Sequence, residues 1–258
     1  MSGSLTFNGV TAESLGLRIG AVRVYDAPGR EVQTYMVPGR IGAIYPTKDL
    51  SQIPNQLREY TAALYLKSAS DEEVERALAS LRAWLMIDGY AELTDSYEPN
   101  FYRRAFFSGD FLPERRGAGP DFVVPLTFSC DPRRYIRNVP TLHVRGQVTI
   151  TTPETVQGYH ITEASKPLIF ISNGGDQIII TFSDPETGDQ IGKVVTDPED
   201  VDYWFDSETL IAYYPDGTYA NDRIRDVSGD IRLGPGKTNV SLNSALCELT
   251  IHPRWCVR

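Results

Sequence analysis

The run Asp95-Ser96-Tyr97-Glu98-Pro99, followed by Arg103-Arg104, is the grouping in this chain closest to a reactive constellation. Two carboxylates can hydrolyse a glycoside, one as acid and one as nucleophile or base, when they face each other across a cleft about 5–10 Å wide. Here Ser, Tyr and Pro hold both acids in one apparent turn, so a structural turn with local ion pairing is the reading the spacing supports. Gly234-Pro235-Gly236-Lys237-Thr238 ends like a phosphate-binding loop, but that pattern needs Gly five positions before the Gly-Lys pair, and Ile231 stands there. The acid-rich stretches 184–189 and 197–206 lack the alternating ligand spacing of a calcium loop and read as solvated loops. Cys130, Cys247 and Cys256 form no Cys-x-x-Cys pair and His143, His160 and His252 are scattered, so neither zinc nor another cofactor is expected. No catalytic residue is assigned, and the chain does not read as an enzyme.

Fixed cations are the other feature. Pro28-Gly29-Arg30 and Pro38-Gly39-Arg40 flank a strand-like run, Val32 to Met36. Pro sets φ and Gly permits positive φ, so each triplet makes a tight turn that carries an Arg just past it. Such a ribbon presents charge to a partner rather than to a substrate.

The elements that would position these residues are mainly strands. The chain has 258 residues, 14 Tyr, 10 Phe and a net charge of −9. An acidic balance argues against gripping nucleic acid through phosphates. The first residues have neither a basic nor an apolar leader segment, and no apolar run is long enough for a helical membrane span, so a soluble protein made in the cytoplasm with reduced thiols is expected. Strands are expected over 5–7, 17–25, 33–37, 57–67, 90–94, 101–107 and 122–129, with a loop over 113–120. One helix is expected over 71–86. Ser70 and Glu73 form its capping box, acids fill its first turn, and Val74, Leu78, Leu81 and Leu85 line one face.

From Asn138 onward no amphipathic helix is legible. Short strands over 141–144, 148–151, 168–172, 177–182, 192–195, 201–205, 210–214, 230–233, 239–242 and 247–252 alternate with turns, the pattern of a sandwich or jelly roll. The expected architecture is an α+β domain over 1–137 followed by an all-β sandwich over 138–258. Tyr203, Trp204, Tyr213, Tyr214 and Tyr219 read as core residues of that sandwich, and Trp255 on the last strand as packed.

The ordered series Phe7-Asn8-Gly9, Gly16-Leu17-Arg18-Ile19, Val37-Pro38-Gly39-Arg40, Ala83-Trp84-Leu85, Ala91 to Pro99, Tyr102-Arg103-Arg104-Ala105, Phe128 to Tyr135 and Pro253-Arg254-Trp255 resembles the distal tail proteins of long-tailed (siphovirus-type) bacteriophages. The resemblance implies a virion structural protein at the tail tip. There it forms a homohexameric hub between the tail-tube protein and the tail-tip or baseplate proteins and lets DNA pass. It implies a ring-forming first domain and a second, galectin- or carbohydrate-binding-module-like domain whose last strand, 247–257, returns toward the first. Arg30, Arg40, Arg103 and Arg104 are then candidate subunit contacts. Trp204 and Tyr214 are candidate contacts to host cell-wall carbohydrate, should the second domain serve host attachment alone or beside a receptor-binding protein. A tail-associated cell-wall hydrolase is the remaining alternative.

Overall fold

The structure is a computed structural model that describes residues 3–25, 35–36, 38, 43–44, 57–67, 70–117, 119, 121–161, 163–172, 175–198, 200–244 and 247–257; at 21–25, 35 and 43–44 it describes the backbone alone. Arg30, Arg40 and most of the Pro-Gly-Arg ribbon lie outside the described residues. Of that ribbon, Tyr35–Met36 (β4) pairs antiparallel with Ala43–Ile44 (β5). The chain divides into two compact units, Met1–Arg134 and Tyr135–Arg258.

In the first unit an antiparallel sheet is built from Leu5–Phe7 (β1), Val10–Thr11 (β2), Leu17–Tyr25 (β3), Arg58–Leu66 (β6), Ala91–Asp95 (β7), Phe101–Phe107 (β8) and Asp121–Cys130 (β10), in the order β2-β1-β7-β8-β10-β6-β3. Glu114–Arg116 (β9) adds to β10. The segment around β9 was expected as a loop because of its Pro and Gly; a three-residue strand survives there because β10 offers it a free edge. The sheet curls: Gly3, just before β1, bridges Ile19 on the far strand β3. Strict alternation sends every second side chain of β6 inward, so Tyr60, Ala62, Leu64 and Leu66 are buried.

Helix α1, Asp71–Leu85, covers this core. Ser70 caps it by accepting a hydrogen bond from the Glu73 amide at 3.3 Å. Val74, Leu81, Trp84 and Leu85 are its buried residues. The Trp84 indole N–H donates to the Phe7 carbonyl at 2.8 Å, and the Phe7 ring stands 5.0 Å from Phe128, which ties helix, β1 and β10 together.

The second unit holds Arg134–Ile136 (β11, which begins one residue earlier), Leu142–Val144 (β12), Gln147–Thr151 (β13), Thr155–Val156 (β14), Tyr159–His160 (β15), Leu168–Ser172 (β16), Ile179–Ser183 (β17), Gln190–Thr196 (β18), Tyr203–Asp206 (β19), Ile211–Tyr213 (β20), Ile224–Gly229 (β21), Lys237–Leu242 (β22), Glu248–His252 (β23) and Cys256–Val257 (β24). Two five-stranded antiparallel sheets form, β12-β23-β16-β19-β20 and β13-β22-β17-β18-β21, and β11 pairs with β24. Each sheet buries alternate residues, among them Ile169, Ile171, Phe205 and Leu249 in one, and Ile180, Phe182, Val194 and Val240 in the other.

One sequence expectation changes here. The strand expected over 230–233 is instead the run 224–229, because Asp230 turns away and its amide donates to the Ile191 carbonyl at 2.9 Å, leaving Leu233 only an isolated bridge to Ser165. A single 3-10 turn at Asn221–Arg223 is the helical element of this unit among the described residues.

Candidate functional site

The acids of the 95–99 turn are structural. Asp95 is 4% exposed at the end of β7. Its Oδ1 accepts the amides of Tyr97 and Glu98 at 2.8 and 2.9 Å, and its Oδ2 accepts the Tyr60 hydroxyl at 3.0 Å. Glu98 accepts from Arg103, whose side chain is 4% exposed, and from Arg134 at 3.2 Å. Arg103 also lies 5.5 Å from the Tyr60 ring centroid, and Arg134 lies 4.9 Å from that of Phe101. Both carboxylates point into a network that fixes a turn. The arrangement offers no pair of acids across a cleft.

Three guanidiniums, from Arg58, Arg103 and Arg134, gather around Glu98. Arg58 heads β6; its Nε is buried without a hydrogen-bond partner, and burial, then the charges of Arg134 and Arg103, push its pKa down. Sequence reading missed Arg58 and the Tyr60–Asp95 bond, because the contributing residues lie 35 positions apart and no local pattern joins them. Cys130 closes the same region, and burial pushes its thiol up to about 12.

Of the four candidate contact arginines, Arg103 is thus an internal residue of its own chain. Arg104, its neighbour on β8, points to the other face. It is half-buried, is the cross-strand partner of Glu92 and lies 5.7 Å from the Tyr90 ring centroid; Tyr90 is 44% exposed and stacks edge-on with Phe106 at 5.2 Å. Arg104, Tyr90, Phe106 and Glu92 therefore make a mixed aromatic and charged surface patch. Tyr, Phe and Arg are enriched where proteins meet proteins, whereas Glu is not.

In the second unit the aromatic cluster divides by strand alternation. Tyr203 and Phe205 are buried, but Trp204 between them is half-buried on the opposite face, a departure from the expected all-core reading. Cross-strand register sets Tyr213, Trp204, Phe170, Thr250 and His143 in one row across all five strands of that sheet. Trp204 stands 4.9 Å from the Phe170 ring and 5.3 Å from His252. Tyr219 is 76% exposed and bridges Tyr213. Tyr214 does not join the row; it is half-buried, with its hydroxyl accepting from Arg223 Nε at 2.7 Å. Trp255 is 3% exposed. At the end of the sheet Arg254 grips Asp206 with two hydrogen bonds, 2.8 and 3.1 Å.

The other motifs resolve into turns. Gly234–Gly236 leads into strand β22, not a helix, and the Thr238 hydroxyl accepts from the Gly234 amide at 3.3 Å. The 184–189 loop is an Asp-anchored turn in which Asp184 Oδ1 accepts the Glu186 amide at 2.7 Å. Among the described residues no group of three His, Cys, Asp or Glu is placed to hold a metal ion, and no helix is long and apolar enough to cross a membrane.

No protein-family model and no curated protein matches this sequence. Solved structures do. The Dit protein of phage SPP1, described as a paradigm of the hub adsorption apparatus in phages infecting Gram-positive bacteria, superposes with a TM-score of 0.63 at 12% identity, covering 97% of this chain and 98% of its own. Chains of the phage P2 baseplate in its activated conformation, with calcium and with strontium, give a TM-score of 0.56 at 11% and 10% identity over the same shares. The resemblance to distal tail proteins carried by the sequence motifs is therefore met by the fold: over nearly its whole length this chain folds like the Dit hub protein and the matching phage baseplate chains.

Proposed function

We propose that this chain is a non-enzymatic structural protein of a bacteriophage tail, a hub that joins the tail tube to the tail-tip or baseplate proteins. The observation that carries this reading is the fold match over both units at once; a likeness confined to one domain would carry much less. In this reading the protein is made in the host cytoplasm and resides at the virion tail tip. Six copies close head-to-tail into a ring, each using two different faces, and leave a passage for DNA. The net charge of −9 suits a passage that does not retain DNA. Arg104, with its aromatic neighbours, and Arg30 and Arg40 are the proposed contacts to the next subunit; Arg103 supports that surface from within by holding the 95–99 turn. Light scattering with electron microscopy tests the reading: rings of six times 28.8 kDa are expected, alone or with the tail-tube protein. Monomers under both conditions would overturn it.

A second reading rests on the aromatic row of the second unit. Half-exposed Trp204 beside Phe170 has the character of a platform on which a pyranose ring stacks, so host cell-wall carbohydrate recognition through Trp204, with Tyr214 at its margin, is the alternative. Glycan binding lost in Trp204→Ala while the fold is retained would support it, and no binding by the native chain would end it. Hydrolysis is disfavoured by the engagement of Asp95 and Glu98 in the turn. Cell-wall degradation that disappeared in Asp95→Asn would reverse that judgement.

A further inference from the structure

A groove of about 600 Å³ opens at one end of the first unit's sheet, lined by the polar Arg18, Lys67, Arg116 and Asp121 and by Gly16, Tyr65, Leu66 and Phe122. Its charge is unusual for an acidic chain: three cations stand against one carboxylate. Register explains how they meet. Arg18 on β3 is the direct cross-strand partner of Tyr65 on β6, and Arg116 on β9 is that of Asp121 on β10. Arg116 nevertheless reaches back over β10 to lie 5.3 Å from the Tyr65 ring centroid. One guanidinium therefore lies over Tyr65, Arg18 stands on the strand at its other side, and Lys67 follows two residues along β6. Among the described residues none of Arg18, Lys67 and Arg116 has an ion-pair partner, and all three are exposed. Arg115, the neighbour of Arg116, is by contrast committed to Asp71 at 2.6 Å.

Three cations around a single carboxylate leave an excess of positive charge, and the arrangement gains most from a ligand that carries negative charge. Gly16 in the lining adopts φ +75°, and the position its Cβ would take is open space. The groove has the size of a small-molecule site, and its lining combines apolar side chains with a few polar groups. Guanidiniums match the oxygens of a phosphate in a two-pronged fashion, and Lys supplies a point charge beside them.

We infer that this groove is a binding site for a phosphate dianion, with Arg18, Arg116 and Lys67 as its ligands and Phe122 and Tyr65 as the surface against which the body of a phosphomonoester lies. Asp121 limits the affinity and accepts a hydrogen bond from a hydroxyl or protonated group of the ligand.

Calorimetry on the full chain at low ionic strength, with inorganic phosphate and phenyl phosphate as separate probes, tests this. Saturable binding is expected, weakened about tenfold by Arg18→Ala or Arg116→Ala and tightened by Asp121→Asn. Arg18 and Arg116 are exposed and Asp121 is half-buried, so these substitutions leave the core intact, which circular dichroism checks. Tighter binding of phenyl phosphate would assign a phosphomonoester as the ligand, and equal binding would assign the free anion. No saturation with either probe at millimolar concentration, or binding unchanged in the Arg18→Ala/Arg116→Ala double variant, would overturn the site.

Discussion

Glu98 shows how single residues set the local architecture. It neutralises two guanidiniums, one of them almost fully buried, so Glu98→Gln leaves Arg103 inside the fold with a weakened counter-charge. Loss of such a charge-assisted contact costs about 2–3 kcal/mol, and urea unfolding should show a lower midpoint at unchanged slope. An unmoved midpoint would mean that the turn does not depend on the pair. A second residue-scale effect is alkaline. Burial pushes Cys130, Cys247 and the Tyr203 hydroxyl each up to about 12, from ordinary values of 9.0 for the thiols and 10.0 for tyrosine. In the unfolded chain these groups lose their protons first, so the folded state binds more protons between pH 9 and 12. Stability is then fully present below about pH 9 and falls as pH rises through that window, by up to ~1.4 kcal/mol per pH unit for each group. Cys130→Ala should flatten the decline measured by denaturant midpoints from pH 8 to 11; a decline of equal steepness in the variant would contradict the assignment.

At the scale of elements, helix α1 and the β18–β21 pair are the sensitive places. Leu81 is fully buried between the helix and the sheet, and Leu81→Ala should lower stability by about 2–5 kcal/mol through lost burial and the cavity left behind. Ser70→Ala removes the cap and should cost about 1 kcal/mol, which makes the two variants a graded pair in one thermal-unfolding series. Gly229 ends β21 at φ +71°, and a Cβ there would stand 2.3 Å from the Ile191 carbonyl oxygen, a backbone atom that cannot swing aside. Gly229→Ala should therefore destabilise the second unit well beyond the usual cost of a Gly-to-Ala change at positive φ, and faster amide exchange confined to β18 and β21 would show it. Equal exchange in the variant would show that the pair accommodates the methyl group.

For the whole molecule, the proposal turns on assembly. If Arg104 and its patch face a neighbouring subunit, Arg104→Ala should shift the particle from six times 28.8 kDa toward the monomer while leaving the stability of the monomer within about 1 kcal/mol of the native one. Scattering mass read beside circular dichroism separates an assembly defect from a folding defect. A full-sized ring from the variant would move the interface elsewhere.

Local signals were legible in the sequence where the chemistry is local. The capping box at Ser70 and Glu73, the 3.6-residue spacing of Val74, Leu78, Leu81 and Leu85, and the alternation along β6 declare helix and strand without reference to the rest of the chain. So does the refusal of Gly234–Thr238 to be a phosphate loop, since Ile231 cannot take the place of a glycine. The motif order also pointed to the fold, because turns and caps recur wherever the same backbone path must be followed. What only the tertiary structure decided is which strands become neighbours. Pairing of β3 with β6 and of β10 with β9 brings Arg18, Tyr65 and Arg116 together, and the path through β6, β7 and β8 sets Arg58, Tyr60, Asp95 and Arg103 around Glu98. It also decided that Trp204 faces away from Tyr203, since the side-chain period of two places neighbours on opposite faces but does not say which face is buried. Long-range register depends on the packing of the whole core, and that information is spread across residues too far apart for any sequence window to contain it.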